Sequence, residues 1–370
     1  MDAAARARHL DALRALTAPG GSIDPEAPTA THQRPENYVD GTWTMRRQKL
    51  HKQILDEYFA ENPHVARDNR AIIMSGPPGA GKSSALKEKV PDEEKHLWRT
   101  IDADEFKKRL VSKLRQTGEF EAIIPPDVQA RIDAGETFTP GEFASLVHEE
   151  SSWLAARAAR RSLQRGERVV LDGVNGSKGK LISRLEGLQA SGYVHAEIIA
   201  VDGPRDVTRA RVEHRWYEAY AKYVDEGDED AGYDARYVPE EVTNVLYVET
   251  DRFSACSRAV GDLVKDGPVQ GLVVNAQMYY VDEPAGKPQL WRTFQQDGDR
   301  FIVTKHRRID NPSSSGAAAP ATTEQPASSS DRQTADNPAA AGEIVVPGYV
   351  RKDGTVVRSH TKKRPTRRQD

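Results

Sequence analysis

One stretch of this chain constrains its fold more than any other: Ala71-Ile-Ile-Met-Ser-Gly-Pro-Pro-Gly-Ala-Gly-Lys-Ser83. A short apolar run, Ala71 to Met74, breaks into Gly76-x-x-x-x-Gly81-Lys82-Ser83, and the helix-compatible Ser84 to Lys89 follows. Apolar strand, glycine-rich turn and helix in that order make a phosphate-binding loop, whose glycines let backbone N–H groups face an anion without a Cβ in the way. The reading assigns nucleoside-triphosphate contacts to Gly76, Pro77, Pro78, Gly79, Ala80, Gly81, Lys82, Ser83 and Ser84. Lys82 has the reach for the β- and γ-phosphates, and the Ser83 hydroxyl for a Mg²⁺ ion.

Such a loop needs a sheet and helices around it, and 370 residues can supply one large core plus appendages, or two modest domains. Apolar content of 37% and charged content of 29% fit a hydrophilic soluble chain with a disordered part. The net charge of −3 averages a basic C-terminus with a more acidic body. Cys256 is the only cysteine, which excludes an internal disulfide and a cysteine-based zinc site. The N-terminus lacks an apolar signal core and no segment approaches the length of a membrane span, so the expectation is a cytoplasmic protein without membrane contact.

Hydrophobic periodicity organises the rest. Residues 2–16 read as a helix with Leu10, Leu13 and Leu16 on one face, and Pro19 to Pro35 as a connector. A helix from Thr44 to Glu61 buries Leu50, Ile54, Leu55, Tyr58 and Phe59. Beyond the loop, strands at 98–101, 168–171 and 196–201 alternate with helices at 140–165, 180–191, 205–224 and 239–264, and a terminal hairpin pairs 279–281 with 290–294. Strands alternating with helices of this length predict an α/β fold with a mainly parallel sheet flanked by helices. The expected division is a helical extension over 1–62, a core over 63–268, a completing hairpin over 269–310, a disordered linker over 311–342 rich in Ser, Ala, Pro and Thr, and a basic hairpin tail over 343–370.

Three further groups bear on chemistry. Asp102-Ala-Asp104 closes the strand after the loop helix, where ligands bind in open parallel sheets. Asp104 reads equally as a base accepting a hydroxyl proton and as a helix cap, and Asp102 reads as a cap. Asp172 ends the apolar Val169-Val-Leu171 run, either as a magnesium-supporting acid or as a strand-ending Asp-Gly turn. Arg205, Arg209, Arg211 and Arg215 share one helix, with Arg236 after an acidic loop. Phosphoryl transfer needs cations on the equatorial oxygens, whereas Arg209 and Arg211 read better as a solvated face.

The loop Gly76 to Ser83, Ile101-Asp-Ala-Asp-Glu-Phe-Lys107, Val170-Leu-Asp-Gly173, Glu213-His-Arg-Trp216 and Ala235-Arg-Tyr-Val-Pro239 occur in the order and spacing of the zeta toxins. Over residues 65–295 the chain resembles that family of kinases from bacterial toxin–antitoxin systems. The resemblance implies ATP (or GTP) and Mg²⁺ as cofactors, a UDP-amino sugar such as UDP-N-acetylglucosamine as acceptor, and an antitoxin protein as partner. By position it implies Asp104 as catalytic base, Lys82 and Ser83 on triphosphate and metal, and Arg215 and Arg236 on the transferring phosphoryl group. Asp172 takes the place of a family glutamate near substrate or metal, and Glu149 and Glu150 of His148-Glu-Glu-Ser-Ser152 fall where relatives face the acceptor. Read without the resemblance, the same acids suit a helix N-terminus. The motif Asp172-Gly-Val174 departs from the family's Glu-Gly-Thr, which removes a hydroxyl from the sugar side and leaves Asn175 or Ser177 to replace it. The family's His-Pro after the acidic motif is also missing, since Phe106-Lys-Lys-Arg-Leu110 continues.

The basic tail, from Arg351 to Arg368, opens a second reading as a nucleotide-dependent nucleic-acid protein, a polynucleotide kinase or NTPase, though only Tyr349 offers it a stacking ring. A third is a toxin that has lost catalysis and serves as a binding module.

Overall fold

In the computed structural model, residues 3–306 are described, together with the short segments 343–346, 349–350, 356–357 and 360–363. In chain order the elements are α1 (Ala3–Thr17), the hairpin β1 (Tyr38–Val39) and β2 (Thr42–Trp43), α2 (Met45–Glu61), β3 (Arg70–Ser75), α3 (Lys82–Lys89), β4 (Arg99–Ile101), α4 (Ala103–Thr117), α5 (Pro126–Asp133), α6 (His148–Gln164), β5 (Val169–Leu171), α7 (Lys178–Ala190), β6 (His195–Asp202) and α8 (Arg205–Glu226). They continue with α9 (Glu229–Asp234), α10 (Glu240–Asn244), α11 (Ala255–Asp266), β7 (Val273–Tyr280), β8 (Gln289–Asp297) and β9 (Arg300–His306).

The sheet order is β4-β5-β3-β6-β7-β8-β9. The pairs from β4 through β7 are parallel, and β8 and β9 add antiparallel to that edge. Side chains alternate across a strand, so β3 feeds both faces. Ala71 and Ile73 enter the large cluster on one side, while Ile72 and Met74 join Val170, Ile199 and Ala85 on the other. A strand buried on both faces explains why 71–74 reads as an unbroken apolar run.

Several sequence expectations change. The helix at 140–165 is two pieces: a 3-10 turn Pro140–Val147, closed by a Thr139/Glu142 capping box, and then α6. The helix at 239–264 breaks into α10 and α11, where Asp202 at the end of β6 accepts the Ser254 N–H at 2.9 Å and anchors the start of α11. Ser254 then caps α11 through the Cys256 N–H. The terminal hairpin is larger: β7 is a full parallel partner of β6, and β9 was not foreseen. The connector at 19–35 is part of the core, since Ile23 and Ala30 are fully buried and the Thr31 N–H donates to the Leu146 carbonyl at 2.8 Å.

Met1–Asp310 and Asn311–Asp370 are separate compact units. In the second, β10 (Glu343–Val346) pairs antiparallel with β13 (His360–Lys363), and β11 (Tyr349–Val350) with β12 (Val356–Val357). The expected linker over 311–342 and most of the basic tail lie outside the described residues.

Candidate active site

The phosphate loop joins β3 to α3 as expected, with Gly81 as the N-cap of α3 at φ 95°. Two of its glycines are required by what approaches them. A Cβ on Gly79, at φ 79°, would overlap the Thr208 carbonyl in the first turn of α8. A Cβ on Gly81 would lie 2.7 Å from Pro288 Cγ and 3.2 Å from Arg211 Nη2. The loop is therefore roofed by α8 and by the β7–β8 connection. Lys82 folds back, its Nζ donating to the Gly76 carbonyl at 3.0 Å and lying 3.9 Å from Asp172 Oδ1. Ser83 is exposed on the first turn of α3.

Asp172 follows β5, adjacent to β3 in the sheet, so parallel pairing sets its carboxylate beside the loop. Its side chain accepts the Gly173 N–H at 2.7 Å, so the turn reading and the site reading both hold geometrically. Asp102 caps α4 by accepting the Asp104 N–H at 2.9 Å. Burial, with Asp104 and Asp172 close by, pushes its carboxyl up to about 6.

Asp104 projects from the first turn of α4 and stays 43% exposed. Arg236 Nη1 lies 2.5 Å and Lys107 Nζ 3.2 Å from its Oδ1. Burial alone would raise this carboxyl, but the Arg236 guanidinium and then Lys107 hold it far below the ordinary carboxylate range. Arg215, on α8, enters the same field. Burial and then Arg236 lower its guanidinium, while Asp104 and Asp102 act in the opposite direction. Among the described residues Arg215 has no ion pair. The structure thus brings Lys82, Asp102, Asp104, Asp172, Arg215 and Arg236 to the carboxyl ends of the parallel strands.

Two candidates fall elsewhere. Glu150 is fully buried and gripped bidentately by Arg47, Nε to Oε1 at 2.5 Å and Nη2 to Oε2 at 2.7 Å, with His51 on Oε1. Burial pushes this carboxyl up, yet the hydrogen bonds from His51 and Arg47 hold it below its ordinary value. It ties α2 to α6 and has no face for a ligand. Asn175 is also buried, at a left-handed φ of 51°, and its amide donates to the Met74 carbonyl at 2.7 Å. It stitches the turn after β5 to the end of β3 and does not replace the missing sugar-side hydroxyl. Glu149 is half exposed beside His148, whose imidazole is lowered by burial and by Lys107, so the start of α6 borders the site.

The solvated-face reading of Arg211 is incomplete. Its Nη1 donates to the Gly286 carbonyl at 2.9 Å, which sets the guanidinium against the loop at Gly81. The signal was present in the spacing, since Arg211 and Arg215 lie one helical turn apart and share a face. Arg209 instead pairs with Glu240 at 2.5 Å. A cavity of about 520 Å³ opens between the β1–β2 hairpin, α2 and α6, lined by Trp43, Trp153 and Arg157, and takes in none of the site residues.

A mainly parallel sheet with a glycine-rich phosphate loop roofed by α8, an acid pair at the next strand end and two convergent arginines define a P-loop kinase fold. The zeta toxin family model matches residues 55–255, more than half of the chain, and the chain belongs to that family. Among solved structures, it is similar to a crystal structure of AvrRxo1-ORF1:AvrRxo1-ORF2 with sulphate ions, at 19% identity and TM-score 0.48 over 71% of each chain. It is also similar to the PezAT toxin–antitoxin system of Streptococcus pneumoniae, at 15% identity and TM-score 0.37 over 65% of this chain and 78% of that one. No curated protein matches the chain. Among the described residues no helix is long and apolar enough to cross a membrane.

Proposed function

We propose that this chain is an ATP- and Mg²⁺-dependent kinase that transfers the γ-phosphoryl group to a sugar hydroxyl of a UDP-amino sugar, UDP-N-acetylglucosamine being the first candidate. The observation that carries the reading is the Asp104–Arg236 contact of 2.5 Å, formed in the field of Arg215 at the strand ends that also hold Lys82 and Asp172. Phosphoryl transfer asks the protein chiefly for positioning and for positive charge around the equatorial oxygens.

In this reading Lys82 leaves the Gly76 carbonyl for the β/γ-phosphates, while the loop N–H groups and the N-terminus of α3 hold the rest of the triphosphate. Arg211, against Gly81, binds from the roof of the loop. Arg215 and Arg236 neutralise the group in flight. Asp104 orients the acceptor hydroxyl and takes its proton as the bond to phosphorus forms and the bond to the leaving ADP breaks. A carboxylate held this low is a weak base while Arg236 stays on it. When Arg236 turns to the phosphoryl oxygens, that restraint is lifted and Asp104 becomes more basic at the step that needs it. The Ser83 hydroxyl and the Asp172 carboxylate, which lies 3.9 Å from the neighbouring Lys82, are hard oxygen donors that would hold a Mg²⁺ ion. Bound there, the ion would neutralise charge on the β- and γ-oxygens.

The test is incubation with ATP, Mg²⁺ and a panel of nucleotide sugars, with 5′-hydroxyl oligonucleotides alongside. Gain of one phosphate by a UDP-amino sugar, found by mass spectrometry and lost in Asp104→Asn, supports the reading. Labelling of the oligonucleotides alone transfers it to the nucleic-acid alternative.

A further inference from the structure

The two arginines of the site repel one another; Asp104 and Asp102 offset part of this, yet among the described residues Arg215 has no carboxylate in ion-pair contact, and further support reaches both from behind. The backing comes from α1, which lies outside the matched residues 55–255. Arg14 reaches two segments at once. Its Nη2 lies 2.9 Å from Glu213 Oε1, two residues before Arg215, and its Nε lies 3.3 Å from Glu240 Oε1, four residues after Arg236.

A second, parallel tie runs through His9, which is buried between Glu136 at 2.7 Å and Glu142 at 3.1 Å. Glu142 also accepts the Trp216 indole N–H at 2.9 Å and the Thr139 N–H at 2.8 Å, and the Thr139 hydroxyl donates to the Ala235 carbonyl at 3.3 Å. Trp216 follows Arg215 in the chain and Ala235 precedes Arg236. Leu13 and Leu16 anchor the helix in the core, and Arg6 stacks on the Tyr217 ring at 3.8 Å. The contacts to Glu213, Trp216, Tyr217, Ala235 and Glu240 all fall within four residues of one of the two arginines.

We infer that α1 is a brace for the phosphoryl-binding arginines, with Arg14 as the positioning residue that, alongside the direct Arg209–Glu240 pair, locks the Arg215 helix to the Arg236 segment. The N-terminal extension is on this inference a working part of the active site, holding it from the rear. The inference rests on the kinase reading for its effect on rate, and on contacts alone for its effect on order.

Arg14→Ala in the full chain is expected to lower kcat by about 10- to 100-fold, because misplacing groups by an ångström costs that much. The dissociation constant for a fluorescent ATP analogue should stay within about threefold, since Lys82 and the loop are untouched. Arg14→Lys keeps a cation near both carboxylates and should recover part of kcat. In an Arg215→Ala background, Arg14→Ala should cost clearly less than it does in the native chain, since one of its two targets is gone. Full additivity in that cycle, or a kcat within twofold of the native chain in Arg14→Ala alone, overturns the brace. If the native chain transfers no phosphate at all, the kinase reading fails, and amide hydrogen exchange decides the brace by itself. Faster exchange confined to 213–217 and 235–240 in Arg14→Ala, and smaller in Arg14→Lys, upholds it, and unchanged exchange there in Arg14→Ala overturns it.

Discussion

Asp102 and Asp104 sit two residues apart and end up with opposite acidities, because burial and then two neighbouring carboxylates raise the first, while Arg236 and Lys107 outweigh burial at the second. The consequence for Asp104 is that it is already ionised across the physiological range. Asp104→Asn should lower turnover by about 10³-fold, the usual worth of a positioned base, with nucleotide affinity nearly unchanged in an equilibrium titration. Asp102 carries the opposite signature. Its folded value of about 6 lies above the ordinary 3.8, so between those limits the folded state holds a proton that the unfolded chain has lost. Stability therefore falls as pH rises through that window and stays low above it, by about 2–3 kcal/mol. Asp102→Asn retains an oxygen to cap α4 and removes the buried charge. Urea unfolding at pH 5 and pH 7.5 should show the native difference shrink in the variant, with the variant the more stable at pH 7.5.

At the scale of elements, the ion pair between α2 and α6 shows how one helical step separates roles. Glu149 and Glu150 are identical in kind and adjacent, yet the turn between them sends one to solvent and the other onto Arg47 and His51. Arg47→Met strands a buried carboxylate and should cost about 3–5 kcal/mol in chemical denaturation, whereas Arg47→Met with Glu150→Leu should regain most of it. Sequence could not separate the two acids, because the partner that decides between them lies on α2, far earlier in the chain. What sequence does expose is local: Gly76 to Ser83, the apolar β3, and an acid at each strand end. The edge strand β9 stayed hidden because it is mostly exposed and lacks a clean alternation. The break between α10 and α11 stayed hidden because its anchor is a carboxylate on β6, although Ser254 is a typical N-cap residue. Asn175 misled for the same reason, its partner being a backbone carbonyl of β3.

At the scale of the whole molecule, Met1–Asp310 contains the entire sheet and every candidate site residue. A chain ending at residue 310 should therefore keep its melting temperature within about 2 °C and its nucleotide affinity within twofold, measured by calorimetry and equilibrium titration. It should elute from heparin at lower salt, because cationic residues of the tail release counterions when they bind a polyanion. Within that unit the loop and the arginine helix are not independent parts. Gly79 rests against the carbonyl of Thr208, seven residues before Arg215, with no side chain between the two backbones. Anyone building chimaeras of this chain with a relative would have to move the stretches around 76–83 and 205–215 as a single graft. Exchanging either half alone would set foreign backbone against backbone at the very spot where the triphosphate must be gripped.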